Sequence, residues 1–139
     1  MPDKEIYVVP SVAGSACLDV PGSTLDDAEL VQWDCHGEAN LRWLLVDQGD
    51  GFFLIVSKVS GKCLDVTRAF TDDNVRVIQY SCAGDDNQRW QLVAVEDGVF
   101  EIRAKHSGKC LALKEGGSVI VQQACSGGAG QPWTLSPAP

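Results

Sequence analysis

Cys63-Leu64-Asp65-Val66, then Tyr80-Ser81-Cys82, then Gln88-Arg89-Trp90: this series of short segments occurs three times along the chain. The earlier copy reads Cys17-Leu18-Asp19-Val20, Trp33-Asp34-Cys35 and Leu41-Arg42-Trp43. The later copy reads Cys110-Leu111-Ala112-Leu113, Gln123-Ala124-Cys125 and Gln131-Pro132-Trp133. The lead cysteines recur after 46 and 47 residues, and the closing tryptophans after 47 and 43. A period of this length marks a supersecondary unit that cannot bury its apolar face alone and must pack against its copies.

The segments between the repeated words read as strands. Phe52-Phe53-Leu54-Ile55-Val56, Val75 to Tyr80 and Val119-Ile120-Val121 are rich in β-branched and aromatic residues. Turn formers bound them: Asp47 to Gly51, Thr71 to Asn74, Gly116-Gly117-Ser118 and Gly127 to Gly130. A helical period is not sustained anywhere; Asp26 to Leu30 allows a single turn at most. Ser136-Pro137-Ala138-Pro139 reads as the start of a linker. With about four short strands per repeat, the expectation is one all-β domain over residues 1–139. Its repeats, approximately 1–47, 48–94 and 95–139, close around a pseudo-threefold axis, which also removes exposed strand edges. A propeller has a similar period, about 40–45 residues per blade, and Trp33-Asp34 supplies one of its dipeptides. That dipeptide occurs once, and three blades are fewer than the four or more that propellers typically use.

Composition narrows the partners. The 139 residues carry 19 acidic and 11 basic side chains, a net charge of −8. A nucleic-acid binder needs a basic face to displace counterions, and this chain is acidic. The same sign disfavours anionic membranes and anionic polysaccharides. No apolar run approaches the ~20 residues of a membrane helix. Met1-Pro2-Asp3-Lys4-Glu5 lacks the basic and apolar regions of a signal peptide; either the protein is made without one, or this sequence starts after it.

The six cysteines fall two per repeat. Of the 15 pairings that six allow, the repeat favours Cys17–Cys35, Cys63–Cys82 and Cys110–Cys125, which close loops of similar length. Such loops contribute about 3 kcal/mol each when bridged, and they imply an oxidising compartment and a secreted protein. The alternative is six reduced, buried thiols in a cytosolic protein. Zinc is disfavoured, since no C-x-x-C pair occurs and His36 and His106 are the chain's two histidines. Nothing in the sequence calls for a metal or a cofactor.

The Cys-Leu-Asp-Val opening, the aromatic-x-Cys step and the Asn-x-Arg-Trp closing, in three registered copies from about Tyr7 to Leu135, resemble the ricin-B-type lectin domain. That resemblance implies a β-trefoil, used as a lectin or as a carbohydrate-binding module of larger enzymes or toxins. It implies that Trp43, Trp90 and Trp133 belong to the core, and that the Gln of each Q-x-W tethers its repeat through backbone hydrogen bonds. Repeat one departs from the pattern, with Leu41 in place of that Gln, and a looser tether is expected there.

Neutral-sugar recognition needs an aromatic face for the C–H side of a pyranose and a planar acceptor for adjacent hydroxyls. A further polar group fixes orientation. At the family's positions repeat one offers Asp19 as the bidentate acceptor, Trp33 as the platform, and His36 and Asn40 as flanking groups. Repeat two offers Asp65, Tyr80 and Asn87 with Gln88 beside them, and Ala83 stands where repeat one has His36. Repeat three has Ala112, Gln123 and Gly130 at the three places, so all its determinants are missing together. Gln32 and Gln79 precede the aromatics and should face the opposite way on a strand. The expectation is a non-catalytic, two-site binder of galactose-type or xylose-type glycans. Its rivals are a trefoil with vestigial sites that binds protein, and a hydrolase. For the hydrolase, acids on different lobes stand too far apart for the roughly 5–9.5 Å that a glycosidase pair requires.

Overall fold

The structure is a computed structural model. It describes residues 4–10, 16–19, 28–29, 31–34, 43–58, 60–114, 119–126 and 131–137, with the backbone alone for those before 43 and after 135. These residues form thirteen strands: β1 (Lys4–Pro10), β2 (Ala16–Asp19), β3 (Ala28–Glu29), β4 (Val31–Asp34), β5 (Trp43–Gly49), β6 (Phe52–Ser57), β7 (Cys63–Val66), β8 (Val75–Tyr80), β9 (Trp90–Glu96), β10 (Val99–Ala104), β11 (Cys110–Leu113), β12 (Ile120–Gln123) and β13 (Trp133–Pro137). Two 3-10 turns, Thr67–Ala69 and Asp86–Gln88, are the helical pieces among the described residues.

Six strands close a ring. β1 pairs with β5, β5 with β6, β6 with β9, β9 with β10, β10 with β13, and β13 returns to β1, every pair antiparallel. Three hairpins complete the fold: β2–β4, β7–β8 and β11–β12. The last two continue from the ring through β6–β7 and β10–β11, and β8 pairs with β12 across the repeat boundary. This is the all-β, threefold closure that the period implies and the β-trefoil that the resemblance implies.

The hairpins share one register. Leu18 lies opposite Gln32, Leu64 opposite Gln79 and Leu111 opposite Gln122. Side-chain alternation then divides each hairpin into a core face and an outer face. Leu64, Val66 and Val77, with Leu111 and Ile120, join Trp43, Trp90, Trp133, Ile55 and Ile102 in one core cluster. The tryptophans are fully buried, as the resemblance implied. A buried indole N–H needs an acceptor: Trp90 Nε1 donates to Leu64 O at 3.1 Å and Trp133 Nε1 to Leu111 O at 2.9 Å. The β7–β8 and β11–β12 hairpins are thereby fastened to the strands that close their repeats.

Gln79 faces inward and is fully buried, as its position before Tyr80 predicts, and Gln122 of repeat three is fully buried in the same way. Ser60 Oγ donates to Gln79 Oε1 at 2.8 Å, and Ser107 Oγ to Gln122 Oε1 at 2.9 Å. Gln122 Nε2 reaches across the repeat boundary to Phe70 O and Asp72 O, both at 2.8 Å. Two disulfides, Cys63–Cys82 and Cys110–Cys125, are formed as the repeat predicts. Cys35, and with it the expected Cys17–Cys35 bond, lies outside the described residues.

Ala28–Glu29, in the stretch that allowed a single helical turn at most, is a short strand on Gln79 and Ile78 of β8. Ser136 and Pro137 are not linker: they pair with Tyr7 and Ile6 at the end of β13. A proline is tolerated at a strand end, where its missing N–H removes no interior ladder bond.

Candidate sugar-binding site

The outer face of the β7–β8 hairpin brings Asp65, Ile78 and Tyr80 together. Asp65 lies opposite Ile78, and Cys63 opposite Tyr80, so alternation sends all four the same way. A pocket of about 300 Å³ opens on this face, lined by Asp65, Arg68, Ile78, Tyr80, Ala83, Asp85, Asn87 and Gln88. Three predicted groups therefore share one cavity with a fourth, Gln88, at its back.

Asp65 is 5% exposed, and Tyr80, the last residue of β8, is 41% exposed. A carboxylate that deep needs donors, and the closing 3-10 turn supplies them. Asn87 Nδ2 donates to Asp65 Oδ1 at 3.0 Å and to Val66 O at 3.0 Å. Gln88 Nε2 donates to Asp65 Oδ2 at 2.9 Å. One amide thus holds each carboxylate oxygen, and the plane of the acid is fixed before any ligand arrives.

Gln88 is 2% exposed, and its other bonds are the tether of the Q-x-W pattern. Its Oε1 accepts from Ala83 N at 2.8 Å and Gly84 N at 3.1 Å, while Nε2 also donates to Ser81 O at 2.9 Å. Gln131 repeats the arrangement in repeat three, with Oε1 accepting from Ser126 N and Nε2 donating to Ala124 O, both at 2.8 Å. There the position of the acid is taken by the buried methyl of Ala112, and Gln123 Nε2 is bonded to Asn74 Oδ1 at 2.8 Å.

In repeat one the backbone register of β2–β4 is that of β7–β8. Asp19 lies opposite Val31 and Cys17 opposite Trp33, so Asp19 and Trp33 hold the hairpin positions of Asp65 and Tyr80. His36 and Asn40, like Gly130 of repeat three, lie outside the described residues.

Arg68 and Asp85 line the pocket without having been expected there. Asp85 stands beside Gly84, five residues before Trp90, a position with no fixed role in the repeat pattern. Arg68 owes its place to a left-handed backbone at φ 51 and ψ 24, and such a conformation has no sequence signal when the residue is neither Gly nor Asn. Among the described residues one group of potential metal ligands converges, Glu101 with Cys110 and Cys125. The two sulfurs are joined in a disulfide, so one carboxylate is left, too little for a metal centre.

The sequence matches the family described as ricin-type β-trefoil lectin domain-like over residues 2–80, 50–119 and 86–139. Among solved structures, a designed threefold symmetric protein, ThreeFoil, is 42% identical with a TM-score of 0.91, over 95% of this chain and 97% of that one. An exo-β-1,3-galactanase from Clostridium thermocellum is 33% identical with a TM-score of 0.90, over 96% of this chain but 30% of the galactanase chain. The Rhizoctonia solani agglutinin shares the fold at 20% identity and a TM-score of 0.85, over 99% of this chain and 96% of its own.

Proposed function

The chain belongs to the ricin-type β-trefoil lectin family, and from that premise we propose that it is a non-catalytic binder of neutral glycans with two sites, in repeats one and two. The observation that carries the proposal is the carboxylate of Asp65, held by Asn87 and Gln88 at the back of a pocket edged by the exposed ring of Tyr80. A fixed carboxylate accepts from two neighbouring hydroxyls without reorganising, and the ring offers its face to the C–H side of the same sugar. In this reading Asp65 and Tyr80 contact the sugar, Asn87 contacts it at the edge, and Gln88 acts from behind by orienting the acid. Asp19, Trp33, His36 and Asn40 do the corresponding work in repeat one. Repeat three, with Ala112, Gln123 and Gly130, binds no sugar in this way.

Galactose-type sugars are the first choice, because the 33% identical structure is that of an exo-β-1,3-galactanase; xylose-type sugars are the second. The same likeness supports attachment to a larger enzyme, since this chain spans 30% of the galactanase. The two disulfides fit an extracellular setting. A single shallow site of this kind binds on the order of mM, about −4 kcal/mol.

Retention on immobilised galactose or xylan tests the reading. The parent protein is expected to be retained, and Asp19→Ala combined with Asp65→Ala to run unretained while keeping its melting transition. Undiminished retention of the folded double variant would remove the site assignment. No retention of the parent would favour a trefoil with vestigial sites that binds protein, and release of reducing sugar from the polysaccharide would favour an enzyme.

A further inference from the structure

The repeat-two pocket presents a cation as well as its acid, aromatic and amide. Arg68 lines it together with Asp85. Arg68 is exposed, and among the described residues its guanidinium has neither a hydrogen bond nor an ion pair. Asp85 is exposed too, and its carboxylate does not cap the 3-10 turn that follows it.

The backbone that presents Arg68 is strained. Arg68 lies at φ 51 and Ala69 at φ 58, and residues with a Cβ occupy this region in succession only where their surroundings hold them there. The surroundings do so from both ends. Thr67 Oγ1 donates to Arg76 O at 2.7 Å, and Phe70 N donates to Thr67 O at 3.1 Å. Phe70 O in turn accepts from His106 Nε2 at 2.9 Å and Gln122 Nε2 at 2.8 Å, both in repeat three. The turn carrying Arg68 is thus pinned by its own hairpin and by the neighbouring repeat.

The charges in the pocket decide what kind of ligand Arg68 meets. Asp65 and Asp85 line the same cavity, two carboxylates against one guanidinium, on a chain of net charge −8. An acidic sugar would meet more repulsion than attraction. A neutral sugar hydroxyl both donates and accepts, and so matches an arginine and a carboxylate side by side. Asp65 and Tyr80 already account for one sugar unit. The sequence also separates the repeats: three residues after the acid, repeat one has Gly22 where repeat two has Arg68, and repeat three has Glu115.

We propose that Arg68, with Asp85 as its acceptor counterpart, determines specificity by contacting a second neutral sugar unit joined to the one on Tyr80. The repeat-two site then reads a disaccharide where repeat one reads a single unit. This rests on the reading of repeat two as a sugar site, and the test separates the two. In an Asp19→Ala background, calorimetric titration compares galactose with β-1,3-galactobiose, and xylose with xylobiose. With Arg68 in place, one disaccharide is expected to bind about tenfold more tightly than its monosaccharide, the value of one charge-assisted contact. Arg68→Ala is expected to bring that ratio close to one, and Arg68→Gly, which also releases the backbone strain, to do the same should the alanine variant fold poorly. A ratio unchanged in both folded variants overturns the second subsite and leaves the lectin reading standing. Absence of binding by all four sugars before Arg68 is changed overturns both. Tighter, Arg68-dependent binding of digalacturonic acid overturns the neutral ligand.

Discussion

Asn87 and Gln88 are neighbours on one 3-10 turn, and both donate to Asp65, yet their substitutions should differ in kind. Gln88 binds the loop at Ala83, Gly84 and Ser81 as well as the acid, and it is buried. Asn87 bonds to Asp65 and Val66 and is half-buried at the pocket edge. Gln88→Ala removes a donor from the buried Asp65 carboxylate and the partner of three part-buried loop groups, and is expected to lower stability by about 2–4 kcal/mol along with binding. Asn87→Ala is expected to cost about 1 kcal/mol of stability while weakening repeat-two sugar binding about tenfold. Urea midpoints and sugar titration of the two variants measure the contrast, and equal stability losses would contradict it. At this scale the sequence is readable where repeats can be compared. Asp65, Tyr80 and Asn87 stand out because Ala112, Gln123 and Gly130 replace them as a set. Arg68 does not stand out, because its approach to the pocket depends on a left-handed backbone imposed by bonds from Gln122 and His106, which lie more than thirty residues away in sequence.

Between elements, loops add to the strand ladders that join the repeats. The segment before β8 crosses to the β11–β12 hairpin, where Asp73 Oδ1 accepts from Lys109 Nζ at 2.8 Å and from Ala124 N at 2.9 Å. The hydrogen bond from the Lys109 ammonium, then that from the Ala124 amide, holds the Asp73 carboxyl below its ordinary 3.8. A depressed folded-state value means the clasp contributes its full stability above about pH 4 and loses it as pH falls through the folded-state value. The melting temperature of the parent protein should therefore exceed that of Asp73→Asn at pH 7, with the gap closing below pH 4. A gap that persists at pH 2 would show that the clasp does not depend on the charge. The hairpins themselves were legible, since a Cys-Leu-x-x word and an aromatic- or Gln-x-Cys word fix the register that β2–β4, β7–β8 and β11–β12 share. Ala28–Glu29 was not, because neither residue favours a strand and the pairing comes from β8, about fifty residues on. Ser136 and Pro137 read as linker for a similar reason: their partners, Tyr7 and Ile6, come from the other end of the chain.

For the molecule as a whole, ring closure determines how the sites work together. β1 pairs with both β5 and β13, so strands from the first and last repeats complete the barrel side by side. The hairpins therefore project from one barrel rather than from beads on a string, with β8–β12 joining two of them directly. In the proposed two-site reading, two weak sites on such a frame meet a polymer at a fixed spacing, and the second contact becomes intramolecular once the first has formed. Monosaccharide binding is blind to this arrangement, whereas polymer binding reads it. Asp19→Ala and Asp65→Ala, made singly, are each expected to leave one site with its own monosaccharide affinity. On a surface coated with β-1,3-galactan or xylan, each single variant should dissociate about a hundredfold faster than the parent, because either loss removes the intramolecular contact. Surface-binding kinetics of the parent and the two single variants measure this. If one single variant retains the slow dissociation of the parent and the other loses all binding, a single site carries the function and the two-site reading fails.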